Sequence, residues 1–208
     1  MTALLDAIAR AFVAPTGEAR AQPVVAVTAA SAAVCGPDAD ALGCALALLL
    51  RRRGPAVVCA WEGRARRAAL PATAGARRLA ASMTARGLDA HPSGRLVLVV
   101  LDPEPSVAAA ETARVAAAAG DAPVVVALCG PRDVAFDQLL AIQDVAVVAS
   151  GDVPEEVVRL GVAALEATGR RAVAAPALSA LAAWAARTGL CVSPAARRAL
   201  AAATGALR

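Results

Sequence analysis

Apolar residues come in two alternating patterns along the chain. Short runs rich in Val and Leu recur at 24–27, 56–61, 96–101, 123–129 and 145–150, with a weaker sixth at 172–175. Between them lie longer stretches of helix formers: 39–53, 106–120, 133–143, 154–168, 178–188 and 193–207, preceded by two helical pieces in 64–88 broken at Pro71 and Gly75. Continuous apolar runs of four to six residues suit strands buried on both faces. Pro154 followed by Glu155 and Glu156, and Ser193 followed by Pro194, are helix-start signals. Strands alternating with helices at this spacing predict right-handed βαβ units. The expected fold is α/β, a three-layer, doubly wound, mostly parallel sheet of 5–6 strands (Rossmann-like or P-loop-like). Residues 89–94, DAHPSG, read as a turn.

Residues 1–22 are expected to be an N-terminal amphipathic helix and linker, and 23–208 a single α/β domain. In the helix at 2–13, Leu5, Ile8 and Phe12 fall at i, i+3 and i+7 and share one face. That face suits packing on the sheet, or docking to a partner or a second subunit. The linker is 15–23, PTGEARAQP.

The unit at 24–53 organises the rest. It reads as strand 24–27, loop 31–38 and helix 39–53, closed by Gly54. In open α/β folds such a loop lies at the carboxyl edge of the sheet, where ligands bind. Four loops are expected there: 31–40, 62–64, 102–106 and 130–133. Their chemistry-bearing residues are Cys35, Gly36, Asp38, Asp40, Asp102, Glu104 and Arg132.

Composition changes this picture in three ways. Hydrophobic residues make up 59% and aromatic residues 2%, so the core is expected to be Val, Leu and Ala at close spacing, with Phe12, Trp61, Phe136 and Trp184 as its few large fillers. All 21 basic residues are Arg, and Lys, Asn and Tyr are missing. This is the mark of GC-rich, actinobacterial-type coding. It also excludes a P-loop lysine, a Schiff-base lysine and any catalytic lysine. Net charge is +4, but the arginines are scattered towards helix ends, where they complement the dipole, so nucleic acid is not an expected partner.

The five cysteines, at 35, 44, 59, 129 and 191, form no CxxC pair and stand beside a single His, His91. That excludes a four-ligand structural zinc site and fits a reducing, cytoplasmic compartment. Cys44, Cys59 and Cys129 read as small core residues, and His91 as a solvated turn residue. No secretory leader is read at the N-terminus, and no apolar stretch is long enough to span a bilayer.

Two ligand chemistries compete at the first loop. Phosphate binding there needs several glycines, a Lys and a Ser or Thr. Residues 35–43, CGPDADALG, supply two glycines and two carboxylates. Each carboxylate about 4 Å from a phosphate charge costs on the order of 4 kcal/mol at an effective dielectric near 20, while the helix dipole returns only about 0.3–1 kcal/mol. A cation is better served. Asp38, Asp40 and Asp102 suit Mg²⁺ or Mn²⁺, provided the first and third strands are neighbours. Otherwise Asp38 or Asp40 caps the helix with the other in its first turn, worth about 1 kcal/mol, Asp102 sits in a Pro-rich turn, and no cofactor is required. A depressed pKa for Cys35 at the helix start is opposed by the same two aspartates.

Two resemblances follow from these residues. The order strand, loop, Ala/Leu helix, Arg-rich helix end and strand is similar to the start of MinD/ParA-type ATPases, including their CpaE/TadZ-like pilus-assembly members. DPEPSVAAAE at 102–111 resembles their PEP-S-V segment, and AFDQLLAIQDVAVVAS at 135–150 their helix-then-strand passage. The likeness spans 24–170, and the Lys and Ser/Thr of the nucleotide loop are replaced. It implies a pseudo-ATPase that keeps a docking or dimerising role, with a protein partner or a homodimer, in pilus assembly or secretion. Separately, GPDADALGCALALLLRRRG at 36–54 resembles the first motif of DHH phosphoesterases, and Asp102 ends a strand as their second-motif Asp does. That implies a metal-dependent phosphoesterase using Asp38, Asp40 and Asp102. This likeness covers about 20 residues. Val34 stands at the motif's His position, and LCGPRD at 128–133 stands where the DHH motif is expected.

Overall fold

The structure, a computed structural model, describes residues 31–35, 39–51, 53–61, 70–102, 104–128, 145–149, 154–167, 171–176, 178–189 and 191–201. In chain order its elements are β1 (Ser31–Cys35), α1 (Ala39–Leu50), β2 (Ala56–Trp61), α2 (Ala74–Thr84), β3 (Asp89–Ser93), β4 (Leu96–Leu101), α3 (Pro105–Ala119), β5 (Val124–Leu128), β6 (Val145–Ala149), α4 (Glu155–Ala167), β7 (Arg171–Ala175), α5 (Ala180–Arg187) and α6 (Pro194–Ala199). The expected strand at 24–27, helices at 2–13 and 133–143, linker at 15–23 and loops at 62–64 and 130–133 lie outside the described residues.

The strands form one sheet in the order β3-β4-β2-β5-β1-β6-β7. Every neighbouring pair is parallel except β3 with β4. The α/β, mostly parallel, doubly wound reading therefore holds, with seven strands among the described residues rather than five or six.

Side chains alternate across the sheet between two cores. On β5, Val124 and Val126 join one core while Val125 and Ala127 join the other. The first core includes Ala76, Ala80 and Met83 of α2, Ala108 and Val115 of α3, and Val158 of α4. The second includes most of α1, Ala186 of α5 and Leu200, the C-cap of α6. Residues Ala39 to Leu48 of α1 are all buried, because this helix lies between the sheet and α5. Its approach to β5 is close: a Cβ on Gly43 would sit 3.2 Å from the Cβ of Ala127.

Three expectations are corrected. Residues 31–35 are not loop but the strand β1, bonded to β5 on one side and β6 on the other. The run SAAVC has little intrinsic strand preference; its place follows from tertiary burial, with Ala32, Ala33 and Val34 fully buried. Residues 89–93 are not a turn but the edge strand β3, which includes His91. An edge strand tolerates a proline such as Pro92, and the turn proper is at Gly94, with φ +56°. Trp184 is not a core filler, being 55% exposed. Of the two helical pieces expected before residue 89, the second is α2, which runs through Gly75 after a Thr73 cap, and the first falls largely outside the described residues.

The β3–β4 turn is fastened to the end of α5, backbone against backbone. Arg95 N donates to Gly189 O at 3.2 Å, and Ser93 Oγ donates to Thr188 O at 3.3 Å. Thr73 N donates to Gly94 O at 2.8 Å, which brings the start of α2 to the same turn.

Candidate functional site

The crossover from β1 through α1 leads to β2 on one side, and β5 is followed in sequence by β6 on the other. Chain departures from the adjacent strands β1 and β5 thus run in opposite directions. This is the topological switch point at which open α/β sheets place their ligand crevice. Cys35, the last residue of β1, is at that edge. Gly36, Asp38 and Arg132 lie outside the described residues.

Asp40, the second residue of α1, is 8% exposed. Its carboxylate is held by Arg187 from the last turn of α5. Nε donates to Oδ2 at 2.8 Å and Nη2 donates to Oδ1 at 3.2 Å. This is the two-pronged geometry in which a guanidinium matches a carboxylate best. It explains how a carboxylate is retained at a nearly buried helix start: a cation 147 residues along the chain neutralises it. Asp40 also sits in the first turn of α1, where the helix dipole favours a negative charge. Nothing local in the sequence marks Arg187. It is one of 21 basic residues, and only the packing of α5 on α1 brings it in.

Asp102 follows β4 and is spent locally. Its Oδ1 accepts from Glu104 N at 2.8 Å, and its own N–H donates to Glu111 Oε2 at 2.8 Å. The first bond closes an Asx turn leading into α3. Glu104 is exposed in that turn, and its carbonyl accepts the N–H of Ala108. So Asp102 shapes the turn ahead of α3, as expected of a residue in a Pro-rich turn. The strand order keeps it away from β1. β4 is three places from β1, with β2 and β5 between them, a separation of about 14 Å at about 4.8 Å per strand. β1 and β4 are therefore not neighbours, and Asp40 and Asp102 do not share a cation at ligand distances of about 2–2.6 Å. Among the described residues no group of three His, Cys, Asp or Glu is placed to hold a metal ion.

Cys44 and Cys59 are buried, as expected, while Cys191 is exposed; Cys129 is outside the described residues. Burial, with the Glu111 charge as a lesser cause, pushes the Cys59 thiol up to about 12. His91 Nε2 lies 2.8 Å from Asp89 Oδ1 along the edge strand.

An open groove of about 460 Å³ lies at the other end of the sheet, lined by Arg53, Pro55, Arg78 and Asp121 among others. It sits beside the amino ends of β2 and β5, away from the switch point. No helix among the described residues is long and apolar enough to cross a membrane. The chain matches no protein-family model, and no curated protein is detectably similar to it.

Proposed function

We propose that this chain is a non-catalytic, MinD/ParA-like structural or regulatory protein that acts through protein contacts, in pilus assembly or secretion. The observation that carries the non-catalytic part is the Asp40–Arg187 pair. The start of the first crossover helix, where a nucleotide loop would need an ammonium group and free amides, is occupied by a carboxylate and its own guanidinium. The chain has no Lys to supply the missing charge. The cellular setting rests on the sequence resemblance over 24–170.

The phosphoesterase reading needs Asp38, Asp40 and Asp102 around one metal cluster. It finds little support where Asp40 is already paired and Asp102 lies three strands away.

Calorimetry with MgATP and with MnCl₂, joined to sedimentation of the same sample, tests the proposal. The expected outcome is no heat of nucleotide binding together with self-association or partner-dependent association. ATP binding at micromolar Kd overturns it. Mn²⁺-dependent cleavage of a generic phosphodiester, lost in Asp38→Ala, would replace it with the hydrolase.

A further inference from the structure

Three segments meet around Pro55 at the amino end of the sheet, and each brings arginines. Arg51 and Arg53 follow α1 and lead into Pro55, with Arg51 Nη1 donating to Gly54 O at 3.4 Å. Gly75, near the start of α2, lies against the same proline: a Cβ there would be 3.5 Å from its Cδ. Arg77 and Arg78 are the fourth and fifth residues of α2. Arg95 O accepts from Ala56 N at 3.2 Å, which seats the β3–β4 turn beside Pro55. Arginines scattered in the sequence are thus gathered at one end of the fold.

Carboxylates do not answer these charges. Among the described residues none of the five arginines is in an ion pair. Asp121 is the single carboxylate among the described residues that line the adjoining groove. Arg51 Nε is buried without a hydrogen-bond partner. Burial, with the Arg95 charge as a lesser cause, holds the Arg51 guanidinium below its ordinary range. Arg51 and Arg53 follow a helix C-terminus, where the dipole favours a cation. Arg77 and Arg78 stand near a helix N-terminus, where it does not, and the first turn of α2 holds no acid to offset them. Dipole compensation therefore accounts for only part of the cluster, and the surface is left suited to an anion.

The groove distinguishes among anions. It has a volume of about 460 Å³, is open, and sets Pro55, Leu79 and Ala122 beside Arg53, Arg78 and Asp121. A small-molecule site buries about 70–90% of its ligand. An open groove does not, so its occupant belongs to something larger. A phosphate backbone brings acceptors alone, which Asp121 repels. Single strands also call for aromatic stacking partners, and no aromatic side chain among the described residues lines the groove. A peptide brings all three complements: carboxylates for the arginines, main-chain N–H groups for Asp121, and apolar side chains for the floor.

We propose that this groove docks an acidic, partly apolar segment of a partner protein, with its carboxylates on Arg53 and Arg78 and an apolar side chain on Pro55 and Leu79. Such a segment is the partner chemistry of the protein contacts proposed above, and rests on that reading.

Fluorescence anisotropy on the full chain tests this with a labelled peptide of repeated Glu-Glu-Leu, beside the same peptide with Gln for Glu. The Glu peptide is expected to bind saturably and to weaken with salt, as charges screened over about 10 Å at 0.1 M require; the Gln peptide is not expected to bind. Arg53→Ala with Arg78→Ala is expected to weaken binding about tenfold. Arg197→Ala with Arg198→Ala, exposed on α6, is expected to leave it unchanged. Arg53→Glu with Arg78→Glu is expected to lose the Glu peptide and take up a Lys-Lys-Leu repeat, a gain that misfolding does not produce. No saturable binding of the Glu peptide below about 1 mM, or equal weakening by the α6 pair, overturns the proposal. Tighter binding of duplex DNA or of phosphatidylserine vesicles through the same arginines also overturns it and reassigns the patch to a phosphate surface. ATP binding in calorimetry would overturn the non-catalytic reading and leave the peptide titration standing, so the two failures are distinct.

Discussion

Asp40 and Arg187 differ in their access to water, and that difference predicts unequal mutants. The Asp40 side chain is 11% exposed and that of Arg187 is 38% exposed. Arg187→Ala strands a nearly buried carboxylate. It is expected to cost about 2–3 kcal/mol in urea unfolding, below the 3–5 kcal/mol of a fully buried pair because water reaches the guanidinium side. Asp40→Asn leaves a guanidinium that can turn to solvent and is expected to cost about 1 kcal/mol or less. Equal costs would mean that the pair is not shielded as described. Cys59 gives a pH-dependent prediction. Its thiol keeps its proton up to about 12 in the folded state, against 9.0 for the ordinary group. The contribution to stability is complete below 9.0 and is lost as pH rises through 12, since the unfolded chain releases the proton first. At pH 8 a thiol reagent is therefore expected to modify Cys191 in the native protein and spare Cys59, and to reach Cys59 only in denaturant. At this scale the sequence was informative where chemistry is local. Asp102 as a turn-former and Cys44 and Cys59 as core residues follow from their neighbours in the chain. Arg187 was illegible because its role comes from a partner 147 residues away.

The elements were read best where periodicity and composition agree. The apolar runs at β2, β4, β5 and β6 and the Pro-led start of α4 all lie within a residue or two of their expected places. The misreadings have one cause in common: tertiary context prevailed over propensity. An Ala-rich segment became the strand β1 because small side chains let α1 lie close to the sheet, and a His-Pro segment became the edge strand β3 because only one of its margins has to pair. The contact between the β3–β4 turn and the end of α5 was not foreseeable, since two glycines far apart in sequence carry it. A Cβ on Gly94 would lie 2.6 Å from Gly189 O, and one on Gly189 would lie 2.4 Å from Ser93 O, both from positive φ. Gly94→Ala and Gly189→Ala are each expected to cost about 2–4 kcal/mol, from left-handed strain plus a backbone clash that no rotamer relieves. The double variant is expected to cost less than the sum, because the first substitution already parts the two turns. A thermal or urea series over the four chains checks both statements.

Across the whole molecule, protection is expected to follow the sheet order. β5, β1 and β2 are bonded on both sides and covered on both faces, whereas β3 and β7 are margins. Hydrogen exchange in the native protein should leave the β5 and β1 amides the slowest, by about a hundredfold or more over those of β3 and β7; uniform exchange across the sheet would contradict the layered arrangement. The same order has a consequence for biosynthesis. β1 is made before all the other described strands, yet its two partners begin at Val124 and Val145. At translation rates of about 5–20 residues per second, the ribosome takes roughly 5–20 s to reach the first of them. For that interval the nascent polypeptide carries an interior strand without either hydrogen-bonding mate, a sticky Ala/Val segment that a holding chaperone would shelter until the second half of the message has been read.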